Sequence, residues 1–312
     1  MTQEPTAPRS DQAGHPLNAA LSTRSTVLRA VRNFFHGRGF MEVETPIRVV
    51  TPCTELHIDA EPSGDHYLRT SPELHMKRLL ADGLDQIFQV GPCFRKGERG
   101  DLHNPEYCML EWYRRNADYK DILLDTKELL LEVTKTTGGD SILNRNGTDI
   151  DLAAEWDIMP VAEAFEKHAG WNPVDRFDAD RFNTDLVDLV EPALPQDSPV
   201  VLTDYPAELA ALARLKPGNP AVAERWELYI GGLELANAYS ELTDAEEQQA
   251  RFEGWTAQRE ADGRAVYPPD HAFMESLQRG LPACGGIALG IDRLVMLCSG
   301  ANSLDEVLPF RE

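Results

Sequence analysis

The stretch FRKGERGDLHNPEYCMLEWYR, Phe94–Arg114, combines a basic loop with two flanking segments that resemble strands. QIFQVGPCF precedes the loop and EYCMLEWY follows it, so the pattern predicts an antiparallel hairpin with the loop at its tip. The loop carries Arg95, Lys96, Arg99 and His103. A cation cluster of this kind suits a polyphosphate, and an arginine can hold one phosphate through two parallel hydrogen bonds. From charge alone, a hydrated surface loop is the alternative.

A second hairpin is predicted in RWELYIGGLELANAYSEL, residues 225–242, with its turn at Gly231-Gly232. The predicted cross-strand pairs are Tyr229 with Glu234 and Glu227 with Ala236. Glu227 and Glu234 would then project from one face of the sheet. Neighbouring carboxylates repel each other unless a cation neutralises them, and a Mg²⁺ that carries nucleotide phosphates would do so. The alternative is that one of the two faces solvent.

The third informative stretch is GGIALGIDRLV, residues 285–295, which predicts a glycine-rich buried strand that leads directly into a helix. Its glycines, including Gly290, would let a backbone or a planar ligand approach closely. Arg293 falls in the first turn of the helix, where the helix dipole disfavours a cation. Its position therefore indicates a local anion or a stacking partner. Asp292 is predicted to be an ordinary ion-pair partner.

The rest of the chain favours an α+β fold with an antiparallel sheet, because strand and helix patterns are mixed without a regular βαβ rhythm. Residues 1–18 are predicted to form a flexible tail and residues 19–312 a single domain, whose first helix would be capped by Ser22 or Thr23. A strand is predicted over 40–46, a helix over 118–137, and a hairpin turn at Asn146-Gly147. A capping box at 243–246 should start a later helix.

Composition bounds the class of protein. The 312 residues hold 30 Lys and Arg against 52 Asp and Glu, a net charge of −22, which argues against a general nucleic-acid binder. Five cysteines without a CxxC pair disfavour a disulfide framework or a structural zinc site, and with no signal-peptide pattern a cytoplasmic protein is expected. P-loop, Rossmann, HExxH and GxSxG motifs are absent from the sequence.

Residues 149–208 hold 15 Asp or Glu and 3 Lys or Arg, a local sum of −12. The segment belongs to a predicted connecting or inserted subdomain at about 149–222. We expect a solvated helical surface there, with a docking site for a basic partner as the alternative.

Together and in order, these segments resemble the catalytic domain of the class II aminoacyl-tRNA synthetases. FMEVETP at 40–46 is similar to motif 1, the basic hairpin to motif 2, and GGIALGIDRLVML at 285–297 to motif 3. TSPELHMKRLL, HNPEYCMLEWY and GGLELANAYSELTDAEEQ are similar to the lysyl branch. A lysyl-tRNA synthetase carries an anticodon-binding domain before motif 1, for which this sequence is expected to have no room. The short form resembles the elongation factor P–(R)-β-lysine ligases, and Ser71 also fits that family.

The resemblance implies roles for individual residues. Arg95 and Arg293 would be the catalytic arginines, and Glu227 and Glu234 would hold Mg²⁺. The ATP site would comprise Arg95, Lys96, Glu98, His103, Asn104, Tyr107, Glu234, Leu235, Gly290 and Arg293. The β-lysine site would comprise Ser71, Pro72, Glu73, Glu111, Tyr113, Asn237 and Glu241. One departure from the family is Lys96-Gly97, where the branch usually has Asn-Glu, which leaves Glu98 or Lys96 to supply that contact.

The implied reaction is ATP-dependent activation of (R)-β-lysine as an adenylate, followed by transfer to a lysine ε-amine of elongation factor P. The family also implies a homodimer formed through motif 1, and no membrane association is expected. Two alternatives remain from the sequence. One is a truncated lysyl-type synthetase that acylates tRNA or another amine, although the acidic charge disfavours tRNA. The other is a non-catalytic, synthetase-like regulator, although such proteins tend to lose the arginines that are present here.

Overall fold

Residues 16–53 and 55–311, which the computed structural model describes, form a mixed but mainly antiparallel nine-stranded sheet with helices packed on it. The helices are α1 (Pro16–Gly37), α2 (Glu73–Ala81), α3 (Tyr119–Thr136), α4 (Val161–His168), α5 (Ala179–Asp185), α6 (Ala245–Ala261), α7 (His271–Gly280) and α8 (Ile291–Ser299). The strands are β1 (Met41–Glu42), β2 (Arg48–Val49), β3 (Pro62–Ser63), β4 (His66–Leu68), β5 (Gln86–Phe94), β6 (Glu106–Arg115), β7 (Ile142–Arg145), β8 (Thr148–Asp151), β9 (Asp157–Pro160), β10 (Val200–Pro206), β11 (Leu215–Lys216), β12 (Asn219–Ile230), β13 (Leu233–Ser240) and β14 (Cys284–Gly290).

The main sheet has the order β1-β5-β6-β14-β13-β12-β10-β9, with β11 beside β12. Its central strands are all antiparallel, whereas β1 with β5 and β9 with β10 pair in parallel at the two ends. The prediction of an α+β fold with an antiparallel sheet is therefore confirmed. Because β14 lies between β6 and β13, motifs that are far apart in the sequence become neighbours at the centre of the sheet.

The basic hairpin forms as predicted, with β5 paired to β6 from Gln86–Arg114 to Phe94–Glu106. The register predicted for the β12–β13 hairpin is correct at Tyr229 and Glu234 but wrong beyond it. Leu235 is an extra residue in the ladder, so that Glu227 lies opposite Asn237 and not opposite Ala236. A bulge of this kind shifts the pairing by one residue, and it puts Asn237 on the same face as Glu227 and Glu234.

Helices α1, α3 and α8 contact one another or the central strands through a large apolar core. Helix α1 already includes residues 16–18, which were predicted as part of the tail, so the predicted cap at Ser22 or Thr23 is wrong. The remaining tail residues, 1–15, lie outside the described residues. Helix α3 confirms the prediction for 118–137 and begins with a capping box formed by Asp118 and Asp121.

Three smaller predictions have different outcomes. The turn at Asn146-Gly147 connects β7 and β8 with positive φ at both residues, as a tight hairpin requires. The strand predicted over 40–46 is reduced to β1. Helix α6 is capped by Asp244, whose side chain accepts from the Glu247 amide, so the predicted capping box at 243–246 is wrong.

The predicted subdomain at 149–222, which contains the acidic segment 149–208, contributes β9, β10 and β11 to the main sheet, beside β12. Helices α4 and α5 pack beside β10 around Phe165 and Phe182, whose rings stack with centroids 4.5 Å apart. The segment thus has an apolar cluster of its own while sharing the sheet. Among the described residues, no helix is long and apolar enough to cross a membrane.

Candidate functional site

A cavity that is open to solvent lies over β6, β13 and β14, beside α2 and the basic loop. Most of the predicted site residues line it. Those from the predicted nucleotide site are Arg95, Glu98, His103, Asn104, Tyr107, Glu234, Leu235, Gly290 and Arg293, and those from the predicted amino-acid site are Ser71, Glu73, Glu111, Tyr113, Asn237 and Glu241. We call the part around Arg95 and Arg293 the arginine end, and the part around Glu73, Glu111 and Glu241 the acidic end.

Arg95 is held in place at the arginine end by a chain of hydrogen bonds. Its Nε donates to the Tyr107 hydroxyl over 2.9 Å, and that hydroxyl donates to the Thr70 carbonyl over 2.7 Å. Its guanidinium carbon lies 5.2 Å from the centre of the Tyr107 ring. The Glu98 carboxylate is 3.5 Å away, the limit of a hydrogen bond. Because the contact with Glu98 is weak, the Arg95 guanidinium can direct its terminal N–H groups toward an anion in the cavity.

Arg293 is the second cation of the arginine end, and it lies in the first turn of α8. Its Nη1 donates to the carbonyl of Glu234 over 2.7 Å and lies 3.2 Å from the Glu234 carboxylate. Its Nη2 lies 3.0 Å from His103 Nε2. Burial and the charge of Arg293 lower the pKa of His103, so the ring is neutral and accepts from the arginine. The sequence predicted a local anion or a stacking partner for an Arg at this helix start, and the structure places the Glu234 carboxylate there.

Glu111 is the most deeply buried carboxylate of the acidic end. One oxygen accepts from the Ser71 hydroxyl over 2.7 Å and the other from the Tyr113 hydroxyl over 3.0 Å. Burial, and then repulsion by Glu73, raise the pKa of Glu111 to about 8. A carboxyl group with this pKa is ready to lose its proton when a cation arrives beside it.

Glu73 and Glu241 share one buried cation, Lys77, which the sequence prediction missed. Lys77 Nζ lies 2.6 Å from Glu73 Oε1 and 2.5 Å from Glu241 Oε2. Burial alone would lower the pKa of Lys77, but the two carboxylates raise it above its ordinary value, so the amine is charged. Burial raises the pKa of Glu241 to about 8, against the opposing effect of Lys77. The i, i+4 spacing of Glu73 and Lys77 was a sequence signal for half of this arrangement.

Two further features leave the acidic end ready for a donor. Among the described residues, Asn237 Oδ1 and Glu241 Oε1 are buried without a hydrogen-bond partner. A Cβ atom at Gly286 would overlap both Glu241 Oε1 and the Tyr113 ring, so glycine is required for these side chains to share the space. Buried acceptors without partners cost free energy, and a ligand that donates hydrogen bonds would remove that cost.

Glu227 and Glu234 point from the same face of the sheet, as predicted, but only Glu234 lines the cavity. Glu227 Oε1 accepts from Arg225 over 2.5 Å, and its Oε2 accepts from the hydroxyls of Tyr205 and Tyr229 over 2.6 and 2.9 Å. Burial, and then the charge of Glu227, raise the pKa of Glu234.

No group of three or more His, Cys, Asp or Glu side chains in the described part of the chain forms a metal site. Glu234 faces the cavity, and burial together with the charge of Glu227 disfavours its ionised form, so this carboxylate fits a divalent cation that takes its other ligands from phosphate and water. Glu227 is engaged by Arg225, Tyr205 and Tyr229 and lies behind it.

Other predicted residues lie beside the cavity without lining it. Lys96 is exposed, and its backbone amide bonds the carbonyl of Asp59. Pro72 is buried at the start of α2. Asp292, which does line the cavity, accepts from the Cys108 amide and pairs with Arg24 at 2.5 Å, whereas the adjacent Arg293 pairs with Glu234.

The sequence prediction also missed residues that do line the cavity, and these are Glu55, Leu102, Cys108, Met109, Ala236, Tyr239, Ile287, Ala288 and Leu304. Tyr239 and Ala288 lie two residues from selected positions on the same strands, so strand periodicity could have identified them. Glu55 lies on a loop that carries no comparable signal.

Comparison with known proteins identifies the family. A family model described as tRNA synthetases class II (D, K and N) matches residues 11–312. An elongation factor P–(R)-β-lysine ligase of Mannheimia succiniciproducens is 38% identical over 307 residues, covering 93% of this chain and 94% of that protein. The protein of the same description from Vibrio cholerae is 37% identical, with the same coverage. A lysine–tRNA ligase of Pelotomaculum thermopropionicum is 36% identical over 92% of this chain, which spans 62% of that protein's length.

Proposed function

The chain belongs to the class II tRNA synthetase family of the aspartate, lysine and asparagine type, and we propose that it activates (R)-β-lysine with ATP and transfers it to elongation factor P. Members of this family are ATP-dependent ligases that typically use a divalent metal. The ligases that match this chain at 37–38% identity do so over 94% of their own length. Their description, together with the cavity, supports the choice of substrate and acceptor.

The observation that carries the proposal is the division of one cavity into two ends of opposite chemistry. The arginine end offers guanidinium groups to an ATP molecule, and the acidic end offers buried carboxylates to ammonium groups. Glu73, Glu111 and Glu241 together with Lys77 sum to −2 when all are ionised, which matches the two ammonium groups of β-lysine. The substrate carboxylate would then point toward Arg95, where the α-phosphate would lie.

In the first step, the carboxylate of β-lysine attacks the α-phosphorus of ATP, and pyrophosphate leaves. Arg95, held by Tyr107, stabilises the charge that develops on the α-phosphate, and Arg293 binds the γ-phosphate. Holding both substrates in one cavity makes the attack effectively intramolecular. Glu234, with Glu227 beside it, would hold Mg²⁺, which would screen the phosphate charge when bound. His103 and Asn104 complete the nucleotide side.

In the second step, the ε-amine of a lysine on elongation factor P attacks the adenylate carbonyl and releases AMP. A protein nucleophile is not needed, because the mixed anhydride is already activated. The Ser71 hydroxyl forms part of the floor of the acidic end and donates to Glu111. Its size and its hydrogen bonding favour the displaced amino group of β-lysine. We further propose a homodimer, to be tested by light scattering of the purified protein.

The test of the first step is ATP–pyrophosphate exchange with (R)-β-lysine, with α-lysine and without an amino acid. We expect strong exchange with β-lysine and much weaker exchange with α-lysine. Preference for α-lysine would keep the adenylate chemistry but contradict the substrate. Lack of exchange with both would contradict the proposed enzyme and favour a regulatory role.

The test of the second step offers purified elongation factor P, its acceptor-lysine-to-arginine variant, or lysine tRNA to the charged enzyme. Mass spectrometry should show one added β-lysyl group on the unmodified factor alone. The lysine–tRNA ligase relative makes tRNA the alternative acceptor, and aminoacylated tRNA in this assay would establish it instead.

A further inference from the structure

Lys77 is fully enclosed and does not line the cavity. The exposed fraction of its side chain is 0%, against 11% for Glu73 and 1% for Glu241. Its Nζ nevertheless bridges these two carboxylates from beneath, at 2.6 and 2.5 Å. A buried cation with two close carboxylates is costly to place and strongly constrains both partners. The arrangement therefore calls for an explanation beyond helix stability.

We propose that Lys77 is a positioning residue that brings the net charge of the fully ionised acidic end to −2 and so selects an amino acid with two ammonium groups. The inference rests on the proposed function and deepens it. Without Lys77, the three ionised carboxylates would carry −3, one more charge than the two ammonium groups neutralise. With Lys77, the charge of −2 balances the two ammonium groups of the substrate.

Geometry supports a role through the carboxylates and not through direct contact. Lys77 Nζ donates a hydrogen bond to Glu73 Oε1 and forms an ion pair with Glu241 Oε2. Neither oxygen of Glu241 has a hydrogen bond among the described residues, and Oε1, the oxygen away from this ion pair, lies next to the cavity face at Gly286. Lys77 thus engages Oε2 by charge and leaves Oε1 to a ligand.

The ionisable groups around the bridge include Glu55, Glu111, Tyr113, Cys53 and Cys284. The nearby cations Arg69 and Arg214 are held elsewhere, because Arg69 donates to the carbonyls of Pro92 and Thr45 and Arg214 pairs with Glu224.

The charge balance predicts that removal of Lys77 has opposite effects on amino-acid binding in two different backgrounds. In the wild-type background, Lys77→Met raises the charge to −3, and in the Glu73→Gln background the same change moves it from −1 to −2. Removal of Lys77 should therefore weaken amino-acid binding in the first case and improve it in the second. A purely structural lysine would weaken binding in both.

The experiment measures KM for (R)-β-lysine and for ATP, and kcat, by pyrophosphate exchange in four proteins: wild type, Lys77→Met, Glu73→Gln and the double variant. For Lys77→Met we expect the amino-acid KM to rise about tenfold or more, with kcat and the ATP KM within about threefold. The double variant should have a lower amino-acid KM than Glu73→Gln alone. Lys127→Met, which removes a surface lysine bonded to the Ala154 carbonyl, is the matched control.

If Lys77→Met does not fold, the comparison of Glu73→Gln with the double variant still decides the matter, because it involves no excess negative charge. An amino-acid KM in the double variant equal to or above that of Glu73→Gln would overturn the inference. An unchanged KM in folded Lys77→Met would do the same. Absence of exchange in the wild type would instead contradict the proposed function, so the two failures are distinguishable.

Discussion

The arginine end and the acidic end of the cavity carry opposite charges and are built in different ways. Arg95 and Glu234 at the arginine end keep 31% and 41% of their side chains exposed. At the acidic end, Glu111 and Glu241 are almost completely removed from water. The first set stands on a loop tip, a strand end and a helix start, and the second on strand interiors and α2.

This difference in burial matches the ligands proposed for the two ends. ATP carries several charges that move during the reaction, so an open site with arginines and water suits it. An amino acid must be distinguished from others that differ by one group, and buried charges discriminate far more strongly than solvated ones. Discrimination by burial has a cost, because the acidic end must hold carboxylates whose pKa values are raised.

The largest effect is expected from a substitution at the arginine end. Arg95→Ala removes the guanidinium proposed to stabilise the α-phosphate, and kcat for exchange should fall by about 10²–10³. The amino-acid KM should stay within about threefold, because the acidic end is unchanged. Arg115→Ala, on the same hairpin but paired with Asp85 at the surface, is the control. A large rise in amino-acid KM in Arg95→Ala would show that the two ends do not act separately.

The converse change is Gly286→Ala at the acidic end. The added Cβ would overlap Glu241 Oε1 and the Tyr113 ring, so the amino-acid KM should rise by about tenfold or more, while the ATP KM is nearly unaffected. Gly254→Ala is the matched control, since that helix position has no atom within 4 Å of a new Cβ. It should make the protein about 1 kcal/mol more stable. Equal kinetics for the two variants would argue against the acidic end as the amino-acid site.

A smaller effect concerns pH. The pKa of Glu111 is about 8, and a bound ammonium group favours the ionised form, so binding below pH 8 must release its proton. The amino-acid KM should therefore fall as pH rises from about 6 to 8, by up to about tenfold per unit for each proton released. Glu111→Gln should weaken amino-acid binding and reduce the slope of log KM against pH by about one. An unchanged slope would exclude Glu111 as the group that titrates.

The same shift has a consequence for stability. A carboxyl group whose pKa is raised on folding binds more protons in the folded than in the unfolded state between its ordinary value and 8. The free energy of unfolding of the ligand-free protein should consequently decrease as pH rises through this window. Thermal melts from pH 5 to 8 with wild type and Glu111→Gln measure it, and a larger pH dependence in the variant would contradict the assignment.

The smallest effect should come from a change that touches neither end. Asp118 caps α3 by accepting from the amides of Lys120 and Asp121 over 2.8 and 3.1 Å. Asp118→Ala should lower the free energy of unfolding by about 1 kcal/mol, as measured by urea denaturation, with both KM values unchanged. Asp118→Asn, which keeps a capping oxygen, is the control. A change in either KM would mean that stability and the site are coupled through α3.

Much of the arginine end could be predicted from the sequence. Arg95 stands on a hairpin tip and Arg293 in the first turn of α8, and both positions follow from short-range patterns of strands, glycines and helix starts. The same holds for α3 and for the turn at Asn146-Gly147, whose residues bond within a few positions of each other. Metal binding by Glu227 and Glu234 stays a prediction, as do the individual ligand contacts.

The acidic end was predicted in its composition but not in its arrangement. Glu73, Glu111 and Glu241 were selected, yet their shared cation Lys77 was missed, because its link to Glu241 joins residues far apart in the chain. The register beyond Leu235 also failed, since a bulge is decided by how a whole strand fits between its neighbours.

The sequence by itself determined the α+β class, the basic hairpin, the glycine-rich strand before α8 and the family, because each depends on local pattern or on motifs in order. Only the tertiary structure decided that Lys77 lies beneath Glu73 and Glu241, that Asn237 faces the cavity, and that Glu227 is held by Arg225. Charge in a buried site depends on which groups the fold brings within a few ångströms and removes from water. That proximity is a property of the packed chain, and no spacing along the sequence encodes it.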